Sequence, residues 1–154
     1  MTLRVSTKFK EQILGPVSFA AIFNMGKIEV YSGTQPANPD FAPTGTLLAT
    51  VTNNGDTWVA GSSAGGLTFT QYGAFVAIGF GQNWRMKATV SGTAGWFRLV
   101  GSTTDPGQLS YSHPRLDGSI AATGSSQIIL ATTSLTAGDN IAVQQFTYTI
   151  LPIS

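Results

Sequence analysis

The stretch Trp84-Arg85-Met86-Lys87-Ala88-Thr89-Val90 alternates apolar and polar side chains along its whole length. Successive side chains of an extended strand point to opposite faces, so this pattern gives one apolar face and one polar face. After Ser91-Gly92 the chain returns through the apolar residues 96–100. The two segments together predict a β-hairpin near the centre of a sheet.

Strand and turn signals continue on both sides of this hairpin. Residues 27–31 alternate, and Asn54-Gly55 between residues 46–52 and 57–60 predicts another tight hairpin, because Asn-Gly accepts the positive φ angles of such a turn. We predict further strands over residues 67–70, 74–78, 109–112, 127–131 and 141–151, the last with Phe146, Tyr148 and Ile150 facing inward, and turns at Asp105-Pro106-Gly107 and Asp117-Gly118.

Short strands separated by Gly, Asn and Pro are typical of an all-β fold. The spacing predicts a β-sandwich or jelly roll of about eight antiparallel strands. A short helix precedes them, with Ser6 as its cap and Gly15-Pro16 at its end, and residues 17–23 add a further turn or two. The apolar stripe of this helix consists of Phe9, Ile13 and Leu14. We therefore expect an N-terminal helical arm over residues 1–26 and a β-sandwich domain over residues 27–154.

The composition restricts the kinds of partner and site that we expect for this protein. Charged residues make up only 10% of the chain, and the net charge of +1 provides no basic field for nucleic acid. No cysteine is present, which excludes disulfides and thiolate metal sites, and no apolar run approaches the roughly 18 residues of a membrane-spanning helix. Because charge is depleted at the centres of interfaces, we expect a surface that is largely covered by protein partners.

Catalytic signals are weak. Gly61-Ser62-Ser63-Ala64-Gly65 matches the nucleophile motif of α/β-hydrolases, and Asp105 and His113 follow in the order of that triad. The motif requires a helix after the serine, whereas residues 66–69 predict a strand. His113 is the only histidine, and the acidic residues lie mostly in predicted turns. We therefore expect no enzymatic activity, no catalytic residues, no cofactor and no metal site.

Several segments along the chain resemble a group of small virion proteins encoded in the head-gene region of tailed bacteriophages. These segments are residues 3–7, 28–36 (Ile-Glu-Val-Tyr-Ser-Gly-Thr-Gln-Pro), 44–50, 92–99 (Gly-Thr-Ala-Gly-Trp-Phe-Arg-Leu), 117–120, 134–138 and 146–149. The chain departs from the usual pattern at residues 61–82 and 102–113, which have the character of inserted loops.

The resemblance implies a capsid decoration or cement protein on the outer surface of the virion, assembled in the host cytoplasm. Its implied partners are the major capsid protein and further copies of itself, as a homodimer or homotrimer. The net charge and the lack of a long apolar run lead us to expect neither nucleic acid nor membrane as a partner. Two alternatives stay open. One is another virion component, at the tail, neck or baseplate, and the other is a glycan-binding module on the virion surface.

A lattice-binding role favours contact residues in the N-terminal segment and in the Pro-rich stretch at residues 35–43. Proline pre-sets the backbone of a loop, so less conformational entropy is lost when the loop docks. Trp58, close to a predicted turn, is a candidate for either protein or glycan contact. The predicted contact residues are Leu3, Arg4, Phe9, Ile13, Leu14, Gln35, Pro36, Pro39, Phe41 and Trp58.

Overall fold

The computed structural model describes residues 3–149 of the 154-residue chain. The helices are α1 (Thr7–Ile13) and α2 (Phe19–Phe23). The strands are β1 (Arg4–Val5), β2 (Lys27–Ser32), β3 (Leu47–Asn53), β4 (Phe69–Tyr72), β5 (Phe75–Ile78), β6 (Trp84–Ala88), β7 (Gly92–Val100), β8 (Arg115–Ala121), β9 (Ile128–Leu130), β10 (Ser134–Leu135), β11 (Asn140–Phe146) and β12 (Tyr148–Thr149). The all-β class predicted from the sequence is confirmed.

The main sheet closes on itself as a barrel. Nine strands pair in the order β1-β8-β9-β11-β6-β3-β2-β7-β10, and an additional pairing of β7 with β8 joins the seven strands from β8 to β7 into a ring. β8 and β9 are parallel, and the other pairs are antiparallel. β12, β5 and β4 form a separate three-stranded sheet. This closed ring differs from the sandwich or jelly roll that the strand spacing predicts.

Alternation along the strands fills the barrel interior. Ile28 and Val30 of β2, Met86 of β6 and Phe97 of β7 are buried in one hydrophobic cluster. Trp84 and Phe146 contact each other in the same cluster, with ring centroids 5.3 Å apart. The apolar face predicted for residues 84–90 is confirmed as core at Trp84, Met86 and Ala88, whereas Val90 lies beyond the end of β6 and is exposed.

Neither predicted hairpin forms. The turn at Asn54-Gly55 is present, with φ angles of 56° and 71°, but residues 57–60 form no strand. β3 pairs with β2 on one edge and with β6 on the other. The Asn54 N–H accordingly donates to the carbonyl of Asn83, the residue before β6, at 2.7 Å. β6 in turn pairs with β3 and β11, while β7 pairs with β2, β8 and β10. Both hairpin predictions are wrong because each strand finds partners distant in sequence.

Other local predictions also change. Residues 109–112 contain no strand, and Asp117-Gly118 lies inside β8 rather than in a turn. Gly118 is needed there because a Cβ atom would lie 2.8 Å from the Phe97 ring. The predicted last strand divides into β11 and β12, and β12 pairs with β5 of the small sheet. Phe146 is buried and Tyr148 is half-buried, while Ile150 lies outside the described residues.

The N-terminal helices pack against the barrel core. The Ser6 hydroxyl caps α1 by accepting the Phe9 N–H at 3.2 Å, as the sequence predicts. Phe9 stacks on Phe23 of α2, with centroids 5.5 Å apart, and both belong to the core cluster. In the described part of the chain, neither helix is long enough to cross a membrane.

Candidate interaction surface

Two long loops cover one side of the barrel. They are the Pro-rich loop, residues 33–46 between β2 and β3, and the clamp loop, residues 101–114 between β7 and β8. Phe97 belongs to the core, so alternation places its neighbours Trp96 and Arg98 on the outer face of β7. Both are nevertheless buried, and Arg98 Nη1 donates to the Phe41 carbonyl of the Pro-rich loop at 2.9 Å. The loops therefore shield this outer face from solvent.

Arg98 forms a buried ion pair with the strand next to it. Its Nε and Nη2 atoms each donate to one carboxylate oxygen of Asp117 at 2.7 Å. The two residues are directly opposite each other in the β7–β8 register. This two-point geometry is the strongest form of an arginine–carboxylate contact. Burial raises the pKa of Asp117, and the hydrogen bonds and charge of Arg98 oppose that rise.

Arg115 joins the two loops. Its Nε and Nη2 atoms donate to the two carboxylate oxygens of Asp105 at 2.7 and 2.6 Å, and Nη2 also donates to the Gln108 carbonyl at 2.8 Å. Its Nη1 atom donates to the carbonyls of Pro39 and Asp40, both at 3.0 Å. One buried guanidinium thus satisfies backbone acceptors in the Pro-rich loop and in the clamp loop at once.

The hydrogen bonds around Asp105 favour the ionised form of its carboxyl group. Burial acts to raise its pKa, but the hydrogen bonds from Arg115 and the Gly107 N–H, together with the Arg115 charge, leave the pKa below its usual value. The predicted turn at Asp105-Pro106-Gly107 is confirmed, since the Gly107 N–H donates to the Asp105 side chain at 2.9 Å. The turn therefore positions the acid that Arg115 requires.

An aromatic pair lies beside these arginines. Tyr31 and Trp96 face each other across β2 and β7 and stack with centroids 4.7 Å apart, and the Arg98 guanidinium lies 5.5 Å from the Trp96 ring centre. Burial, followed by the charge and hydrogen bond of Glu29, raises the pKa of Tyr31. The Tyr31 hydroxyl donates to Glu29 at 2.7 Å. These contacts pack Tyr31, Trp96 and Arg98 against one another beneath the loops.

The N-terminal segment fastens the Pro-rich loop from its other side. Arg4 Nη1 donates to the Pro36 carbonyl at 2.9 Å. The backbone N–H and the hydroxyl of Thr7 donate to the two carboxylate oxygens of Asp40, at 2.9 and 2.6 Å. The loop is therefore held by β1, by α1 and by the two arginines.

Three large apolar side chains are exposed on these fastened loops. The Ser110 N–H donates to the Asp40 carbonyl at 2.9 Å, which joins the two loops directly. Phe41, Leu109 and Tyr111 flank this bond within one residue and are 46%, 57% and 57% exposed. We call Phe41, Leu109 and Tyr111 the loop platform. It presents apolar surface on backbone that is already ordered.

The structure brings some of the predicted contact residues to this region. Leu3 and Arg4 line a shallow cleft with Pro39, which is two residues before the platform residue Phe41 in the chain. Most of the loop residues among them are buried supports, since Gln35, Pro36 and Pro39 are covered and Phe41 alone is exposed. Of the predicted contact residues in this loop, only Phe41 is therefore placed for contact.

The remaining predicted residues lie elsewhere. Phe9 is buried in the core, Ile13 packs against the core, and Leu14 is 87% exposed at the end of α1. Trp58 is half-buried, its Nε1 atom donates to the Met25 carbonyl at 2.9 Å, and the Lys27 ammonium lies 4.8 Å from its ring centre. None of these residues lines the cleft that contains Leu3, Arg4 and Pro39.

Sequence reasoning missed the residues that organise the surface, namely Arg98, Asp117, Arg115, Asp105, Leu109 and Tyr111. A usable signal exists for Arg98, because a charge within an apolar strand is conspicuous in a chain with 10% charged residues. No such signal exists for Arg115, since its strand was not predicted.

The residues of the hydrolase-like motif have separate partners. Ser63, the serine at the nucleophile position of the motif, is exposed, and its carbonyl accepts the Gly66 N–H at 3.1 Å. His113 Nδ1 pairs with the Ser110 hydroxyl at 2.7 Å. Asp105 is bound by Arg115. The motif is followed by β4 and not by a helix. The triad geometry is therefore not assembled.

Comparisons with protein families, curated proteins and solved structures found no match for this chain.

Proposed function

We propose that this chain is a non-enzymatic virion structural protein of tailed bacteriophages that binds the major capsid protein lattice on the outer face of the head. The observation that carries the proposal is the loop platform, an apolar surface on two loops that buried arginines fasten to the barrel. The resemblance to phage head-region proteins supplies the identity of the partner.

Rigidity favours a binding role for these loops. Ordering a flexible side chain or loop on binding costs free energy, and a surface that is already ordered avoids most of that cost. Arg115 alone donates to carbonyls of Pro39, Asp40 and Gln108. Such fastening of exposed apolar residues is what a preformed protein interface requires.

The charge distribution supports the same role. Arg98 pairs with Asp117 and Arg115 with Asp105, so the charges under the platform cancel inside the protein. The platform itself is uncharged and contains two aromatic residues, a composition typical of the centre of a protein–protein interface. A protein that ties neighbouring capsomers together gains further affinity by binding at more than one point.

The copy number of this chain per virion tests the proposal. Purified particles are analysed by quantitative mass spectrometry against the major capsid protein. We expect a ratio close to one copy per capsid protein, or a fixed small fraction of it that matches a lattice symmetry axis. A few copies per particle would assign the chain to the tail, neck or baseplate, and absence from particles would refute a virion role.

Glycan binding is a second candidate, favoured by the surroundings of Trp58. Its cleft is open and is lined by hydroxyl and ammonium groups, with Thr50, Thr52, Lys27 and Lys87 among them. Aromatic rings beside polar donors are typical of sugar sites. A glycan array with the wild type and Trp58→Ala tests this candidate, which predicts sugar binding that the variant loses.

A further inference from the structure

The cleft beside Trp58 combines an aromatic ring with groups of both charges. It lies at the turn that follows β3, and its volume of about 380 Å³ is at the small end of the range of roughly 300–1,000 Å³ for ligand sites. Two ammonium groups, one carboxyl group and several hydroxyl groups share its lining with the ring. The residues concerned are Lys27, Lys87, Asp56, Thr50, Thr57 and Trp58.

The segment that carries the ring and the carboxyl group is held by the rest of the protein. The Trp58 Nε1 atom donates to the Met25 carbonyl at 2.9 Å. The Asp56 N–H donates to the Asn53 carbonyl at 3.0 Å, and the Asp56 carbonyl accepts the Thr52 hydroxyl at 2.7 Å. A ligand at this cleft would therefore meet backbone that is already ordered, which lowers the entropic cost of binding.

The charges around the cleft balance. Lys27 is paired with Glu29 at 3.1 Å, whereas neither Lys87 nor Asp56 forms an ion pair among residues 3–149. The stem of Lys87 packs over the turn, since a Cβ atom at Gly55 would lie 3.3 Å from Lys87 Cε. The cleft therefore offers one uncommitted cation and one uncommitted anion, with no net charge.

This set of groups matches the hydroxyls of a sugar. A hydroxyl both donates and accepts hydrogen bonds, an ammonium group only donates, and an ionised carboxylate only accepts. Lys87 and Asp56 together can thus satisfy neighbouring sugar hydroxyls, and Trp58 supplies apolar surface for the ring carbons. The carboxylate of an acidic sugar would instead be repelled by Asp56, and Lys27 is already neutralised by Glu29.

We propose that this cleft binds a neutral saccharide, with the sugar ring against Trp58, Lys87 donating to its hydroxyls and Asp56 accepting from them. The inference rests on the second candidate of the proposed function, glycan binding at Trp58, and specifies the class of sugar and two further binding residues. It does not depend on capsid binding.

Saturation-transfer NMR on the full chain tests the class of sugar. The probes are the methyl glycosides of glucose, galactose, mannose and N-acetylglucosamine, together with methyl glucuronide and methyl galacturonide. Each uronide differs from its neutral counterpart only by a carboxylate in place of the hydroxymethyl group. Titration of the neutral probe with the strongest signal gives a dissociation constant, which is then compared with that of a uronide.

The variants separate recognition from folding. Trp58→Ala removes the ring but also its bond to Met25, so Lys87→Met and Asp56→Asn, both at exposed positions, provide the cleaner test. Lys10→Met and Glu11→Gln make the same chemical changes at exposed positions of α1 and are the matched controls. Circular dichroism and thermal melting verify that each variant is folded.

We expect binding of at least one neutral glycoside, a dissociation constant raised about tenfold in Lys87→Met and in Asp56→Asn, and unchanged binding in the two controls. A uronide that binds as tightly as its neutral counterpart overturns the inference but leaves the glycan-binding candidate standing. Binding unaffected by Lys87→Met and Asp56→Asn, or weakened equally by the controls, overturns the assignment of these residues. Absence of binding by every probe overturns both the inference and the candidate function.

Discussion

Replacing Arg115 by methionine tests whether the buried guanidinium fastens the two loops. The substitution leaves the Asp105 carboxylate without its ion pair and removes the donor of the Pro39, Asp40 and Gln108 carbonyls. Removing one partner of a buried ion pair costs about 3–5 kcal/mol of unfolding free energy. At about 2–4 °C per kcal/mol for a chain of this size, the melting temperature should fall by roughly 6–20 °C.

The matched control is Arg85→Met. Arg85 also donates to a side chain and a backbone carbonyl, both of Asn140, but it lies on the surface. Its loss should cost only about 1 kcal/mol. Urea unfolding of both variants gives the two free energies, and hydrogen exchange should show new opening within residues 33–46 and 101–114 of Arg115→Met.

A double variant separates the charge from the loop contacts. Arg115→Met with Asp105→Leu leaves no unpaired carboxylate, so it should recover part of the stability that Arg115→Met loses. The reasoning is refuted if Arg115→Met and Arg85→Met lose equal free energy, or if the two loops stay protected from exchange in Arg115→Met.

Three further predictions follow from the same contacts. The folded-state pKa of Asp105 is lowered, so the stabilisation from its ionised form is complete above the unfolded pKa of about 3.9 and is lost as the pH falls through the folded pKa. The pKa of Asp117 is raised, so its protonation makes the unfolding free energy increase as the pH falls through the folded pKa of Asp117. Carboxyl NMR titration should show Asp117 protonating before Asp105 as the pH falls, and the reverse order would contradict the structure. Gly118→Ala should destabilise by about 1–3 kcal/mol in urea unfolding, because the added methyl lies 2.8 Å from the Phe97 ring, and an unchanged midpoint would mean that this ring moves freely. Ser6→Ala should lower the free energy of unfolding by about 1–3 kcal/mol, because the buried hydroxyl caps α1 and also accepts the Arg115 backbone N–H at 2.8 Å. A loss smaller than that of an ordinary exposed helix cap would show that the bond to Arg115 adds no stability.

The sequence predicts where the strands lie better than it predicts which strands pair with each other. Alternation at residues 84–88 correctly identifies the buried face of β6, because the side-chain period is a local property. It contains no information on the partner strand, and β6 pairs with β3 and β11 instead of the nearby β7. The hairpin predicted after Asn54-Gly55 fails for the same reason, although the turn itself forms.

The surface was harder to predict than the fold. Asp117-Gly118 has the composition of a turn, yet Gly118 is there to admit the Phe97 ring and Asp117 to bind Arg98. Proline content correctly indicates an ordered loop at residues 35–43, but its order depends on Arg115, which is distant in sequence. A local pattern cannot reveal a support of this kind.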